Sequence, residues 1–323
     1  TLNFVNINIM TGLLLLQTNV TIKSLISKVK KIQNKQSMKG VSPLAAGYLK
    51  TSDRAYLYYE DCGEGEDTIL LVPGHMCTTK FYQKNVPALA KNHRVVTFDS
   101  RGFGNSSKPL HGNDVERHAD DIKELIDYLD LHNVILIGWS LSGSVVVTYT
   151  HKYQAYRMKA LGILDGCLFP FSPESWNSYN SRNYNMDDWN QKYRLWYTDN
   201  TQYIENFVNR VKDGLSEEEV EMVRQEIGKT PPWIGFALHS DWCHTDCAKL
   251  LPEITVPVII FSGESKGHHS TMGEYYKSQI TTYCEHHVFR KGGHMLFFIE
   301  YEEFNEILEN FIKRCNDSVT KIS

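Results

Sequence analysis

Three short, apolar-rich runs constrain this chain most. They are Thr68 to Val72 (TILLV), Arg94 to Phe98 (RVVTF) and Asn133 to Gly138 (NVILIG). A strand that is half exposed alternates apolar with polar residues, whereas a strand buried on both faces reads as a continuous apolar run. Helical segments separate these runs. Asp114 to Leu131 repeats with Ile122, Leu125, Ile126 and Leu129 on one face, the stripe of a helix packed on a core. Tyr82 to Lys91 and Ser140 to His151 read as helices too. Further strands are expected at Leu161 to Leu164, Val256 to Phe261 and His286 to Phe289, with a closing helix over Tyr301 to Cys315. Strands alternating with helices predict an α/β fold, a mainly parallel sheet with helices on both faces. Gly47 to Ser52 and Ala55 to Asp61 alternate about a turn at Ser52-Asp53 and read as a strand pair at its start.

The alternation stops between about Phe169 and Pro252. This stretch is helical in character and its first part is crowded with Trp176, Tyr179, Tyr184, Trp189, Tyr193, Trp196, Tyr197 and Tyr203. Such aromatics either pack a small helical subdomain or line an apolar pocket as a lid; the lid is the favoured reading, and the two are compatible. The expected organisation is an N-terminal extension over 1–44, a first core part over 45–168, a helical lid over 169–252 and a second core part over 253–323. Residues 1 to 22 carry no charged side chain, and Lys23, Lys28, Lys30 and Lys31 follow. Asn3, Asn6, Asn8, Gln17 and Asn19 interrupt what would have to be ~20 predominantly apolar residues in a spanning helix. Positive charge after the apolar stretch is the reverse of a secretory signal. A disordered or surface-helical extension is expected, with weak membrane contact through residues 1–31 as the other reading.

A net charge of -4 without a basic face argues against a nucleic-acid partner. Seven scattered cysteines read as reduced thiols of a cytoplasmic protein rather than a disulfide frame.

The chemistry is concentrated at Gly138-Trp139-Ser140-Leu141-Ser142-Gly143. Ser140 follows a buried strand and opens a helix, so its hydroxyl sits on a sharp turn above the sheet edge. The turn packs closely and needs small residues. Gly138 and Gly143 give that room, and Ser142 stands where the motif's second glycine usually is. A hydroxyl is a weak nucleophile until a base takes its proton. His294, in Lys291-Gly292-Gly293-His294-Met295, follows the last strand and is the candidate base; paired His268-His269 and His286-His287 read as surface or strand residues. An oxyanion needs backbone N–H donors aimed at it. Leu141 supplies one by position, and His75, in Pro73-Gly74-His75-Met76 at the end of a buried strand, is the candidate for the other.

These segments together resemble the α/β-hydrolase superfamily over residues from about 47 to 315, especially its small-ester hydrolase and cofactor-free haloperoxidase-like branch. Leu71-Val72-Pro73-Gly74 resembles the family's His-Gly oxyanion segment, with Pro in place of His. Asp99-Ser100-Arg101-Gly102-Phe103-Gly104-Asn105-Ser106 matches its D-x-R-G-x-G-x-S loop, which is structural in the family. Gly138 to Gly143 matches the elbow, and Gly292-Gly293-His294-Met295, followed by an acidic residue and Phe304-Asn305, resembles the histidine segment. The resemblance implies the α/β-hydrolase fold with a helical lid insert. One expected part is displaced. The family's acid usually stands three residues after a glycine ending the penultimate strand, and here that segment is Gly263-Glu264-Ser265-Lys266. Lysine cannot orient and balance an imidazolium. Asp165, ending the strand Leu161 to Leu164 and taken as two strands along from the one bearing the elbow, is the favoured replacement. Some members of the superfamily take their acid from the end of this strand. Glu264, in the usual loop at the wrong offset, is the alternative acid, and a site with neither stays open.

The expected function is therefore a serine hydrolase acting on a carboxylic ester, lactone or thioester of a small to medium apolar molecule. No phosphate loop or dinucleotide fingerprint occurs, so no cofactor is expected. Cys243-His244-Thr245-Asp246-Cys247 lacks the second ligand pair of a structural zinc site, so no metal is expected. The displaced acid keeps a second reading open, a ligand-binding or receptor-like member with weak turnover. Oligomeric state is not legible.

Overall fold

The computed structural model describes residues 43–179, 186–264 and 270–320. The chain divides into two units, 1–42 and Pro43–Ser323. Residues 1–42 of the expected extension lie outside the described residues, as do Tyr184, Lys266, His268 and His269, and its last two positions, Pro43 and Leu44, belong instead to the first strand of the sheet.

The second unit is built on one eight-stranded sheet. Its strands are β1 (Pro43–Lys50), β2 (Tyr56–Cys62), β3 (Thr68–Val72), β4 (Arg94–Phe98), β5 (Val134–Trp139), β6 (Met158–Leu164), β7 (Val258–Gly263) and β8 (Cys284–Phe289). Their order is β1-β2-β4-β3-β5-β6-β7-β8. β1 and β2 are antiparallel to their neighbours, and β4 through β8 run parallel. The central strands are buried along their whole length, which is why they read as apolar-rich runs. The helices are α1 (Val86–Leu89), α2 (Val115–Tyr128), α3 (Ser142–Lys152), α4 (Met186–Thr198), α5 (Asn200–Val211), α6 (Glu217–Gly228), α7 (Pro232–His244), α8 (Thr271–Gln279), α9 (Leu296–Ile299) and α10 (Tyr301–Thr320).

Local rules account for most of these. Asp114 caps α2 by accepting from the Arg117 N–H at 2.7 Å, and Ile122, Leu125 and Ile126 are buried beneath it. Leu129, expected on the same face, lies at the end of the helix and is half-buried. α8 was not legible: in TMGEYYKSQ only Met272, Gly273 and Tyr276 are buried, too few for an apolar stripe.

The chain leaves β3 toward β4 on one side and returns to place β5 on the other. That reversal opens a crevice beyond the carboxyl ends of β3 and β5, the usual site for a ligand in an open α/β sheet. The loops after these strands carry Pro73-Gly74-His75 and Ser140.

α4 to α7 are inserted between β6 and β7. Trp189, Tyr193 and Trp196 are buried within them, and Trp196 stacks on Tyr203 with centroids 4.2 Å apart. α7 reaches the core. Asp241 accepts from the Val115 N–H at 2.8 Å, and Ile234 packs on Gly102, where a Cβ would come within 2.2 Å of it.

The Asp99 loop is fixed from both sides. Asp99 accepts from the Thr79 and Asn105 N–H groups at 2.8 and 2.7 Å. Arg101, with no exposed surface, donates to both oxygens of Asp121 at 2.6 Å and to Asp53 at 2.7 Å. Losing one partner of a buried pair leaves the other charge uncompensated, at about 3–5 kcal/mol. Arg117 also donates to Asp121, at 2.9 Å, so Arg101→Met leaves Asp121 one cation and is expected to destabilise the fold by about 3 kcal/mol, the low end of that range, read as a lower urea midpoint at unchanged slope.

All seven cysteines are free thiols. No helix among the described residues is long and apolar enough to cross a membrane.

Candidate active site

Ser140 sits between β5 and α3 at a φ of 58°, the left-handed region that costs a residue with a Cβ of order 1–3 kcal/mol. The surroundings hold it there. Its N–H donates to the Leu164 carbonyl and its carbonyl accepts from Gly143, both at 2.9 Å. Gly138 is essential to the turn, because a Cβ there would lie 2.2 Å from the Ser142 carbonyl oxygen. Gly143 is less demanding than its place in the motif suggests. A Cβ on it would make only ordinary contacts, the nearest 3.5 Å away. The tight position is Gly166, where a Cβ would stand 2.7 Å from the Ser140 carbonyl oxygen. Ser142 uses its hydroxyl, donating to the Pro73 carbonyl at 2.5 Å, which ties the elbow to the loop after β3.

His294 follows β8 in a short 3-10 turn over Gly293–Met295. Three contacts hold this segment. Glu300 accepts from the Gly292 N–H at 2.6 Å, the Trp139 indole donates to the His294 carbonyl at 2.9 Å, and Gly263 packs against the Gly293 backbone so closely that a Cβ would be 1.9 Å from its oxygen. The ring spans two groups. Its Nε2 lies 3.0 Å from Ser140 Oγ and its Nδ1 lies 2.6 Å from Asp165 Oδ2. An ionised carboxylate only accepts. Nδ1 therefore carries the hydrogen, and bare Nε2 faces the hydroxyl.

The structure corrects the placing of Asp165. Its strand, β6, is the immediate neighbour of β5, not two along. β6 follows β5 directly in the chain as well as in the sheet, so the acid lies one strand nearer the elbow than expected. Asp165 is buried, at a φ of 45°. Its N–H donates to the Phe261 carbonyl at 2.7 Å, and its Oδ1 accepts from the Gly263 N–H at 2.8 Å. β6 and β7 thus aim its other oxygen at the imidazole. Glu264 is not brought to His294: it is exposed, and its Oε1 accepts from Ser270 Oγ at 3.3 Å.

The two candidate oxyanion donors lie in segments next to Ser140. Leu141 follows it in the chain. The loop after β3 passes so near that a Cβ on Gly74 would be 3.2 Å from the Ser140 Cβ. A turn closed by the Cys77 N–H on the Gly74 carbonyl at 2.9 Å carries His75 at its second position. Neither amide donates to an acceptor among the described residues. His75 is half-buried among aromatics, and the desolvation of its ring pushes its pKa down to about 4.

Reading the sequence missed the supports: Gly263 on Asp165, Trp139 on His294, Glu300 on the Gly292 turn. Only Glu300 left a trace, as the acidic residue after the histidine segment. His286 is also more than a strand residue. Its side chain is buried, taking Glu274 at 2.8 Å on one nitrogen and Ser262 at 2.8 Å on the other. No group of three or more His, Cys, Asp or Glu side chains placed to hold a metal occurs among the described residues.

Residues 67–301 match the family model described as alpha/beta hydrolase fold. The chain belongs to that family. It is 26% identical over 271 residues to the AB hydrolase superfamily protein YisY of Bacillus subtilis, covering 82% of this chain and 98% of that one. It is 25% identical over 265 residues to the serine hydrolase BPHL of Mus musculus, covering 80% and 83%. Among solved structures, a bromoperoxidase from Bacillus anthracis superposes with a TM-score of 0.77 at 24% identity, over 83% of this chain and all of that one.

Proposed function

We propose that this chain is a serine hydrolase that cleaves a carboxylic ester, lactone or thioester of a small to medium apolar substrate through an acyl-enzyme. The observation that carries the reading is the continuous hydrogen-bonded line Ser140–His294–Asp165, at 3.0 and 2.6 Å. Ser140 attacks the carbonyl, and its proton passes to Nε2 of His294. Asp165 holds the imidazole in the accepting tautomer and balances the imidazolium that forms. The Leu141 and His75 N–H groups receive the developing oxyanion; one such donor is typically worth ~100 to 1,000-fold in rate. His294 returns the proton to the leaving group, and water activated by the same imidazole clears the acyl-enzyme.

The inserted helices, within 169–252, act as the lid of an apolar site, which the aromatics Trp189, Tyr193 and Trp196 support. The free thiols fit a reducing, cytoplasmic setting. The receptor-like reading drew on Lys266 in the acid's usual place. A carboxylate 2.6 Å from His294 Nδ1 supplies what that reading supposed to be missing.

The test is covalent labelling of the folded protein by a fluorophosphonate probe, beside hydrolysis of an ester panel graded by acyl length. Labelling with turnover of the shorter esters is the expected result. A folded protein that neither labels nor turns over any ester overturns the reading.

A further inference from the structure

We infer that the His75 side chain is a positioning residue: its bond to the carbonyl of Gly235 in the inserted helices sets the direction of its own main-chain N–H toward the oxyanion. The inference rests on the serine-hydrolase reading and concerns the side chain, whereas that reading uses only the amide.

The geometry is as follows. His75 Nε2 lies 2.9 Å from the Gly235 carbonyl oxygen. A carbonyl only accepts, so Nε2 carries the hydrogen and donates. Burial pushes the imidazole's pKa down to about 4, so the ring is neutral near pH 7 and the bond keeps one donor and one acceptor. The ring is gripped on its faces as well as at its tip. Phe103 from the core meets it edge-on with centroids 5.7 Å apart, and Trp196 from α4 does so at 5.6 Å.

The helix that accepts this bond also touches the next residue of the turn. Gly235 packs so that a Cβ would lie 2.2 Å from the Trp196 ring and 3.3 Å from the sulfur of Met76. Met76 itself is held at a φ of 62°. The turn that contains His75 therefore carries a left-handed residue that must be restrained from outside. Its inner side is restrained by Gly74 against Trp139 and Ser140. Its outer side is restrained by α7. With the ring tied to Gly235, rotation of the His75 peptide would have to break the bond or drive the ring into Phe103 or Trp196. The N–H direction is thus set jointly by the sheet and by the insert, and the insert contributes to the transition state without touching the substrate.

The main-chain N–H survives every substitution at position 75 except proline, so a lost rate in the variants below reports where the amide points, not whether it exists. Phenylalanine keeps the ring and removes the donor. Glutamine removes the ring and can return an N–H to the same carbonyl. His75→Phe is expected to lower kcat by about 10- to 100-fold, the scale of a displaced catalytic group, with KM nearly unchanged. Affinity for a boronic acid, whose tetrahedral adduct on Ser140 fills the oxyanion site, is expected to fall in parallel. His75→Gln is expected to restore most of both. Equal kcat and equal boronate affinity in wild type and His75→Phe overturn the inference, as does a loss in both variants that appears in KM alone. If His75→Phe fails to fold, His75→Gln and His75→Leu make the same comparison. A wild-type protein without ester turnover or fluorophosphonate labelling would instead sink the underlying hydrolase reading.

Discussion

Ser140→Ala is expected to abolish fluorophosphonate labelling and to lower ester turnover by on the order of 10⁶-fold, the loss typical when a member of a cooperating triad is removed. The fold should persist. The elbow is held by the Leu164 carbonyl, by Gly143 and by the Ser142–Pro73 bond, none of which uses the Ser140 hydroxyl. A folded Ser140→Ala protein with turnover close to wild type would show that the reaction does not pass through this oxygen.

Asp165→Asn is expected to cost about 10⁴-fold in kcat with the fold intact. The direction follows from hydrogen-bond polarity. Gly263 N–H donates to one side-chain oxygen of residue 165, so an asparagine there keeps its carbonyl toward Gly263. Its NH₂ then faces His294 Nδ1, where only an acceptor suits it. The imidazole must move its hydrogen to Nε2 and can no longer accept the Ser140 proton. Glu264→Gln is the control, and near-normal turnover is expected because Glu264 is exposed and turned to Ser270. If the pattern were reversed, with Asp165→Asn active and Glu264→Gln dead, the acid would be Glu264.

If both substitutions behave as expected, this chain has kept the chemistry of its family while moving one part of it. β6 and β7 are adjacent and parallel, so their carboxyl ends open onto the same edge near His294. An acid at either end can reach the imidazole from nearly the same direction. What fixes the choice is the far oxygen: at β6 it finds the Gly263 N–H ready to bind it. The strained φ of Asp165, 45°, is tolerated because its own N–H is held by Phe261.

The sequence by itself determined the parts that depend on neighbours along the chain. Apolar-rich runs announce strands buried on both faces, because burial acts on each residue in turn. Gly138 and the strand-to-helix switch announce the elbow, because a crowded turn tolerates no Cβ at that position. The place of His294 after the last strand was legible for the same local reason. Only the tertiary structure decided which carboxylate meets His294, since that contact joins residues 129 positions apart and depends on strand order and on one amide of β7. It also decided that the ring of His75 is tied to Gly235, 160 residues on. Hydrogen bonds between distant loops leave no periodic signal in the chain, because their geometry is set by the sheet that brings the loops together and not by the residues on either side.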